Sequence, residues 1–452
     1  MARKALLITG QESETVSTLA RNLIEAGGMS LFARQMMQMQ AAGVEEMHVV
    51  TDWFAQEFTR EIENTRQRPE RVLVHGTKDA PLKLLEHNMD GNCWFLLEEG
   101  VLLDDRIIQH VAQHPAPTAI ALIPPLCFLE ERTTHGIPVQ FENIEGFFGS
   151  IAKLSSQTLS ATVRKLNSLE GLPNALKAIS RTADCAIVNV TDCPLYKAPE
   201  GREVDLVWYP LLKQKDGDTA TDIMLHAAHR VGQDAAARFL YRPLEDFGAK
   251  WLSKAPILPL HIYGLAGLLG LYVTYLFAAG YIVPALIGGF AFGILTGIDQ
   301  KLAHLKRRAS KIDAFKPLIN ATLEWTWYLA IAYALYPVAG MASYILALTL
   351  IAFRLADQIQ VEFFRRMAAC PLYNAAAFDR KFQIIASGRN ISLWLLLPFV
   401  LFDYIYLGLA VISIYAIVTF FIHQLRVLYH TKALMEQNSD IFQRNFKQTK
   451  IL

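Results

Sequence analysis

The residues of this chain with the plainest chemical potential lie in two polar stretches set among apolar runs. The first, Thr296-Gly-Ile-Asp299-Gln-Lys301-Leu-Ala303-His304-Leu-Lys306, closes an apolar run and leads into a loop with Arg307, Arg308 and Lys311. An ionisable Asp299 in that place is either an interfacial residue with access to water or part of a site. His304, Lys306, Arg307 and Arg308 could grip phosphate, and a basic stop at the end of a membrane helix accounts for them equally well. The second stretch holds Arg354, Asp357, Gln358, Glu362, Arg365 and Arg366, with Arg380 and Arg389 following. Arg354, Asp357, Gln358 and Arg365 fall near one helical stripe. Facing a helix bundle, that stripe forms either an anion site with Arg380 and Arg389 or an interhelical salt-bridge network.

The elements that must position these groups are apolar runs: Leu260 to Ala279, Ile282 to Ile298, Ile319 to Tyr336, Val338 to Ile351, Leu393 to Leu407 and Leu409 to Ile422. A bilayer core needs about 20 apolar residues per helix, fewer where the ends snorkel. Six spans in three tight hairpins fit, an all-α six-helix transmembrane bundle over 256–436 with a cytosolic tail over 437–452. The turns within hairpins are short and nearly uncharged, whereas the segments between hairpins carry the Lys and Arg residues. The positive-inside rule therefore expects both termini and both long loops in the cytoplasm.

The first half has ordinary charge density, with β-like runs Ala5 to Thr9, Met47 to Thr51, Val72 to His75, Trp94 to Glu98, Ile120 to Ile123 and Ala186 to Val190 between helical segments. That alternation predicts a cytosolic α/β domain with a mainly parallel, Rossmann-like sheet over 1–235. The connector over 236–255 alternates apolar and basic groups at helical spacing from Arg238 to Leu252, as an amphipathic helix on the cytoplasmic lipid surface does. A plain linker helix is the other reading.

A formal net charge of +1 gives no global field toward nucleic acid. Cys93, Cys127, Cys185, Cys193 and Cys370 have no metal-type pair spacing, and an odd number cannot form a full disulfide set. Met1-Ala-Arg-Lys leads into a short strand-like run and not into a signal-type apolar segment, so the spans themselves are expected to drive insertion.

A polar stretch at the cytoplasmic end of a second span, then a basic loop and a third span, resembles the CDP-alcohol phosphatidyltransferase family, whose motif runs D-x-x-D-G-x-x-A-R, eight residues, then G-x-x-x-D-x-x-x-D. The likeness extends upstream to Arg242-Pro243 and Pro256-Ile-Leu-Pro259 and covers roughly the last 210 residues, the length of a six-span fold. It implies acids holding Mg²⁺ or Mn²⁺ against the pyrophosphate of a CDP-linked donor, since a hard cation bridging phosphate oxygens is held by carboxylates. Laid on this chain, the motif places Thr296 and Asp299 on its first two acids, Gln300 on its glycine, Ala303 on its alanine and His304 on its arginine. In the second half Asp313 falls on the glycine and Pro317 and Ala321 on the acids, so only Asp299 and Ala303 match. A shifted helix would offer Asn320 and Glu324, which leaves Asp299, Asp313 and Glu324 as the metal-holding set. His304 joins these acids as a catalytic candidate, with Arg242, Lys306, Arg354, Arg380 and Arg389 as phosphate ligands.

The opening Ala5-Leu-Leu-Ile-Thr9-Gly10, then Ala26-Gly27-Gly28 and Ala42-Gly43-Val44, looks like the sugar-phosphate nucleotidyltransferase fold. A working loop after the first strand needs glycines and a base to clasp a triphosphate, and here it reads Gly10-Gln-Glu-Ser-Glu-Thr15. The resemblance puts Glu99 at the metal-binding acid and Met29 or Ser30 where a lysine is expected, while Asp104 and Asp105 suit a helix N-terminus. Together the halves imply a diverged, dimeric, multi-pass protein of the cytoplasmic membrane in lipid or headgroup metabolism, its usual chemistry lost or changed. Membrane lipid, a CDP-linked donor or a protein partner are the expected ligands, and nucleic acid is not. Active transfer of a phosphatidyl or phosphoalcohol group to an alcohol is the competing expectation, and nucleotidyl transfer by the first half a second one.

Overall fold

The computed structural model describes residues 3–9, 19–76, 78–88, 92–124, 138–141, 144–163, 176, 179, 185–197, 202–229, 233–308 and 310–437. The chain divides into two compact units, Met1–Tyr196 with Glu203–Ala227, and Ala228–Leu452 with Lys197–Arg202.

The first unit is built on an eight-stranded sheet: β1 (Arg3–Ile8), β2 (Glu46–Val50), β3 (Arg71–His75), β4 (Cys93–Leu97), β5 (Thr118–Ile123), β6 (Pro138–Phe141), β7 (Ile144–Ser155) and β8 (Cys185–Asn189), in the order β8-β5-β7-β4-β1-β2-β3 with β6 on β7. Unbroken aliphatic runs such as ALLI and TAIALI suit strands covered on both faces, and β1, β2, β4 and β5 are buried nearly throughout. The six expected strands are all present. The sequence reading missed β7, which runs antiparallel between β4 and β5. Its two glycines break the alternation that would mark a strand. Gly149 lies so close to Ala121 that a Cβ would stand 2.6 Å from the alanine methyl, and Ser150 sits at φ 62° where the register slips between Phe148 and Ala152. Helices α1 (Leu31–Ala41), α2 (Ala55–Asn64), α3 (Ala80–Glu86), α4 (Asp105–Gln113), α5 (Ser156–Val163) and α6 (Asp216–Ala227) complete this unit.

The second unit is helical: α7 (Arg242–Ser253), α8 (Pro259–Ala278), α9 (Ile282–Leu305), α10 (Lys316–Ala339), α11 (Met341–Ala368), α12 (Ala377–Ile385), α13 (Arg389–Leu401) and α14 (Ile405–Gln437), with a π-helical turn over Ala236–Tyr241 before α7. Four helices, α8, α9, α11 and α14, are long and apolar enough to cross a membrane, and the α12–α13 pair, bent by 47°, makes a fifth if it is one span. The remaining expected span, Ile319 to Tyr336, lies within α10, where Asn320, Glu324 and several Trp and Tyr residues make the helix less apolar. The core of the unit is a cluster around Phe277, Phe292, Trp327, Leu350, Leu396 and Ile412, while Leu268, Ile287, Val338 and Leu425 are exposed on its outside.

Candidate functional site

Helix α9 sorts the polar stretch onto two faces. Gly293, Thr296, Gly297 and Gln300, at steps of three, four and seven, share one face and line a cavity of about 610 Å³ within the second unit. Asp299 belongs to the other face. It is 1% exposed, and its Oδ2 lies 2.5 Å from Lys316 Nζ, which also reaches Asp313 at 2.8 Å. Asp313 is held again by the backbone N–H of Ser310, donating at 2.6 Å in a capping box that opens the turn before α10. Burial works to raise this carboxyl, but Lys316 and the Ser310 amide outweigh it and hold the group below the usual carboxylate range.

Glu324 stands elsewhere: its Oε1 accepts from the Tyr328 hydroxyl at 2.7 Å and lies 3.3 Å from Arg354 Nη2. The three acids expected to hold a metal are therefore not one cluster. A lysine ammonium bridges two of them and an arginine takes the third, so as placed they do not fit a divalent cation, and among the described residues no group of three His, Cys, Asp or Glu does.

The cavity wall opposite α9 is the stripe expected on α11, with Arg354, Asp357, Gln358, Val361 and Glu362 all lining it. Arg365, the stripe's far end, is not on the wall; it pairs with Glu362 at 2.7 Å. The N-terminus of α13 supplies Gly388, Arg389 and Asn390, and α14 supplies His423. Arg354 donates Nη1 to the Ser387 carbonyl, and its Nε is buried without a hydrogen-bond partner. The Arg389 guanidinium lies 4.7 Å from the Phe292 ring centre and donates from Nε to Asn390 Oδ1 at 3.4 Å; it makes no ion pair among the described residues. The lining acids each have a donor of their own: Asp234 accepts from Ala237 N and Asn390 Nδ2, Glu245 pairs with Lys301 at 2.9 Å, Glu362 with Arg365 and Arg366, and Asp357 with His423 at 2.8 Å. Arg389 at the N-terminus of α13, without an ion pair among the described residues, and Arg354 on α11 make the cavity a place for an anion.

Other expected site residues are placed apart from it. Arg242 donates to His229 Nε2 at 3.1 Å and lies 3.8 Å from Asp246, so it belongs to a salt-bridge network with Lys301. Lys306 is buried and donates to the carbonyls of Ala255 and Ile257, tying the end of α9 to the chain between α7 and α8. Arg380 is exposed and is not among the cavity residues. His304 lines a smaller neighbouring space with Gln300, Lys301 and Glu245.

In the first unit Glu99 is buried just past the carboxyl end of β4, where its Oε2 accepts from Thr9 Oγ1 at 2.7 Å. Gly27 and Gly28, at φ 64° and 77°, form the two-residue turn between the short strands Glu25–Ala26 and Met29–Ser30, which demands positive φ at both positions. Gly10 lies outside the described residues. Beside Glu99, burial pushes the Glu98 carboxyl up to about 7, although the Ser150 hydroxyl donates to it at 2.8 Å. Asp104 is the N-cap of α4 as expected, accepting from Arg106 N.

Sequence reasoning missed Gly293, Gly297, Gln300 and His423 as cavity residues. The first three were legible in the helical period of α9 once Thr296, and not Asp299, was taken as the reference. His423 gave no signal, since nothing in an apolar run says which of its positions faces an interior space.

No family model matches this chain, and no curated protein matches it. Two solved structures are similar to its α/β half: the inositol-1-phosphate CTP transferase from T. maritima, at 10% identity over 49% of this chain and 96% of that one, and HddC from Yersinia pseudotuberculosis, at 11% over 49% and 99%. The TM-score is 0.35 for both, a loose likeness.

Proposed function

We propose that this chain is a diverged CDP-alcohol phosphatidyltransferase-like protein of the cytoplasmic membrane, multi-pass with both termini cytoplasmic, whose helical unit binds a phosphate-bearing ligand of lipid or headgroup metabolism without the family's metal cage. The observation that carries the reading is the presence of both Arg354 and Arg389 on a cavity whose α9 face bears no acid. Laid three residues earlier than Thr296, the family motif puts its glycine on Gly297 and its arginine on Lys301, while its two acids fall on Gly293 and Thr296. Carried on, its second half falls on Ser310, Ala314 and Leu318. Every cavity-facing position of α9 then has a place in the motif, and none of the acid places holds an acid.

Membrane placement is supported by the outward apolar side chains of α8 to α14 and by α7, which exposes Leu244, Phe247 and Trp251 on one face and buries Glu245 and Ala249 on the other. A homodimer and a protein partner stay proposals that follow from the resemblance. Full-length protein in detergent is expected to melt at higher temperature with CDP-glycerol, since a ligand of the folded state must stabilise it, and Arg389→Ala is expected to lose the response. An unchanged response in Arg389→Ala counts against the reading.

A second reading concerns the first unit. Thr9 and Glu99 meet at the carboxyl ends of adjacent parallel strands, the place where open α/β sheets bind ligands, which favours a nucleotide there. Loss of a nucleotide-binding signal in Glu99→Gln, with the helical unit untouched, supports it; an unaltered signal removes Glu99 from the site.

A further inference from the structure

The cavity contains a pair of groups that anion binding alone does not use. Asp357 is on α11 and His423 on α14, both less than one-tenth exposed and both lining the cavity. Asp357 Oδ1 lies 2.8 Å from His423 Nδ1 and accepts from Gln360 Nε2 at 2.8 Å as well. Gln360 is fixed in turn by donating to the Phe420 carbonyl at 3.1 Å, and the edge contact of Phe382 with the imidazole holds the ring at 88°. A carboxylate can only accept, so Nδ1 carries the proton, and in the neutral ring Nε2 is left as a base. Nε2 has no hydrogen-bond partner among the described residues and is not among their buried unpartnered atoms.

We propose that Asp357 and His423 form a carboxylate–imidazole pair in which His423 Nε2 is the general base toward a hydroxyl or water attacking a phosphate centre held by Arg354 and Arg389. The inference rests on the anion-binding reading above. As the nucleophile's oxygen bonds to phosphorus, its proton passes to Nε2; the bond from phosphorus to the leaving oxygen breaks, and Nε2 returns the proton where that oxygen needs one. With water as nucleophile and a pyrophosphate-linked ligand, the products are two monophosphates, and no oxidant, reductant or further reactant enters. Asp357 is a positioning residue, setting the tautomer and the ring. A tether between α11 and α14 accounts for the Nδ1 bond but gives no reason for Nε2 to stay open at the cavity wall.

The test uses the full chain in detergent with CDP-glycerol in EDTA, following CMP release and the ligand's effect on melting. Wild type is expected to release CMP; His423→Gln is expected to lose about 10²- to 10⁴-fold in turnover while keeping the melting response, and Asp357→Asn to lower kcat with KM unchanged. Should His423→Gln lose its melting transition, Asp357→Asn, which keeps an oxygen acceptor for Nδ1 and Gln360, reads the pair. Turnover in these variants within about threefold of wild type overturns the proposal, as does a wild type that binds CDP-glycerol through Arg389 but releases no CMP. The absence of any Arg389-dependent melting response brings down the anion-binding reading and this step with it.

Discussion

At the scale of single residues, the site turns on which charges are already neutralised. Asp299 drew attention in the sequence because it is an acid at the end of an apolar run, and its Oδ2 is paired with Lys316 while Oδ1 is buried without a hydrogen-bond partner. Removing the amine from that buried pair, as in Lys316→Met, is expected to cost about 3–5 kcal/mol in chemical denaturation, because two carboxylates lose their shared cation. The same substitution is expected to leave the CDP-glycerol response in place, since none of these three residues lines the cavity. Glu98 supplies a pH prediction in the first unit. Its folded carboxyl titrates near 7 against an ordinary 4.5, so the folded state holds a proton that the unfolded chain has released. The stability this gives is complete below about 4.5 and is lost as pH rises through 7. Melting of wild type minus that of Glu98→Gln is expected to fall across that window; a flat difference would show that the carboxyl is ionised throughout. How far such groups were legible depended on their partners. Asp104 announced itself as a cap from its place before a helical run, whereas the partner of Asp299 lies 17 residues on and across a loop.

At the scale of elements, α9 positions the site through its glycines. A Cβ on Gly297 would stand 2.2 Å from the Glu245 carboxyl, and Glu245 is itself buried against Lys301. Gly297→Ala is expected to destabilise the fold by about 1–3 kcal/mol, measured by chemical denaturation, since the shift it forces strains a buried ion pair. Helix α7 carries the other element-scale prediction. Its exposed Trp251 is expected to be quenched by brominated lipid, read as the quenching lost in Trp251→Phe; no loss means that this face does not touch lipid. The strands with continuous aliphatic runs and the long apolar helices were readable because a single period or run length specifies them. Strand β7 was not, because its bulge at Ser150 and its close packing through Gly149 are set by neighbours distant in sequence.

At the scale of the whole molecule, composition and run lengths established an α/β half and a helical half that reads as membrane-spanning, while the cavity had to wait for the fold. Arg354 and Arg389 were named together from the sequence, and the fold brings them to one cavity; Arg242, Lys306 and Arg380 were named with them and lie apart. Basic residues next to spans look alike in sequence whether they mark topology or bind a ligand. The proposed phosphate site works through arginines and without a divalent cation. The most direct test is melting of the full chain with CDP-glycerol in EDTA and in Mg²⁺, comparing wild type, Arg389→Ala and Asp299→Asn. A rise of similar size in both buffers, abolished by Arg389→Ala and retained in Asp299→Asn, is the predicted result. A rise that needs Mg²⁺ and disappears in Asp299→Asn would instead return the acids to the site as metal ligands.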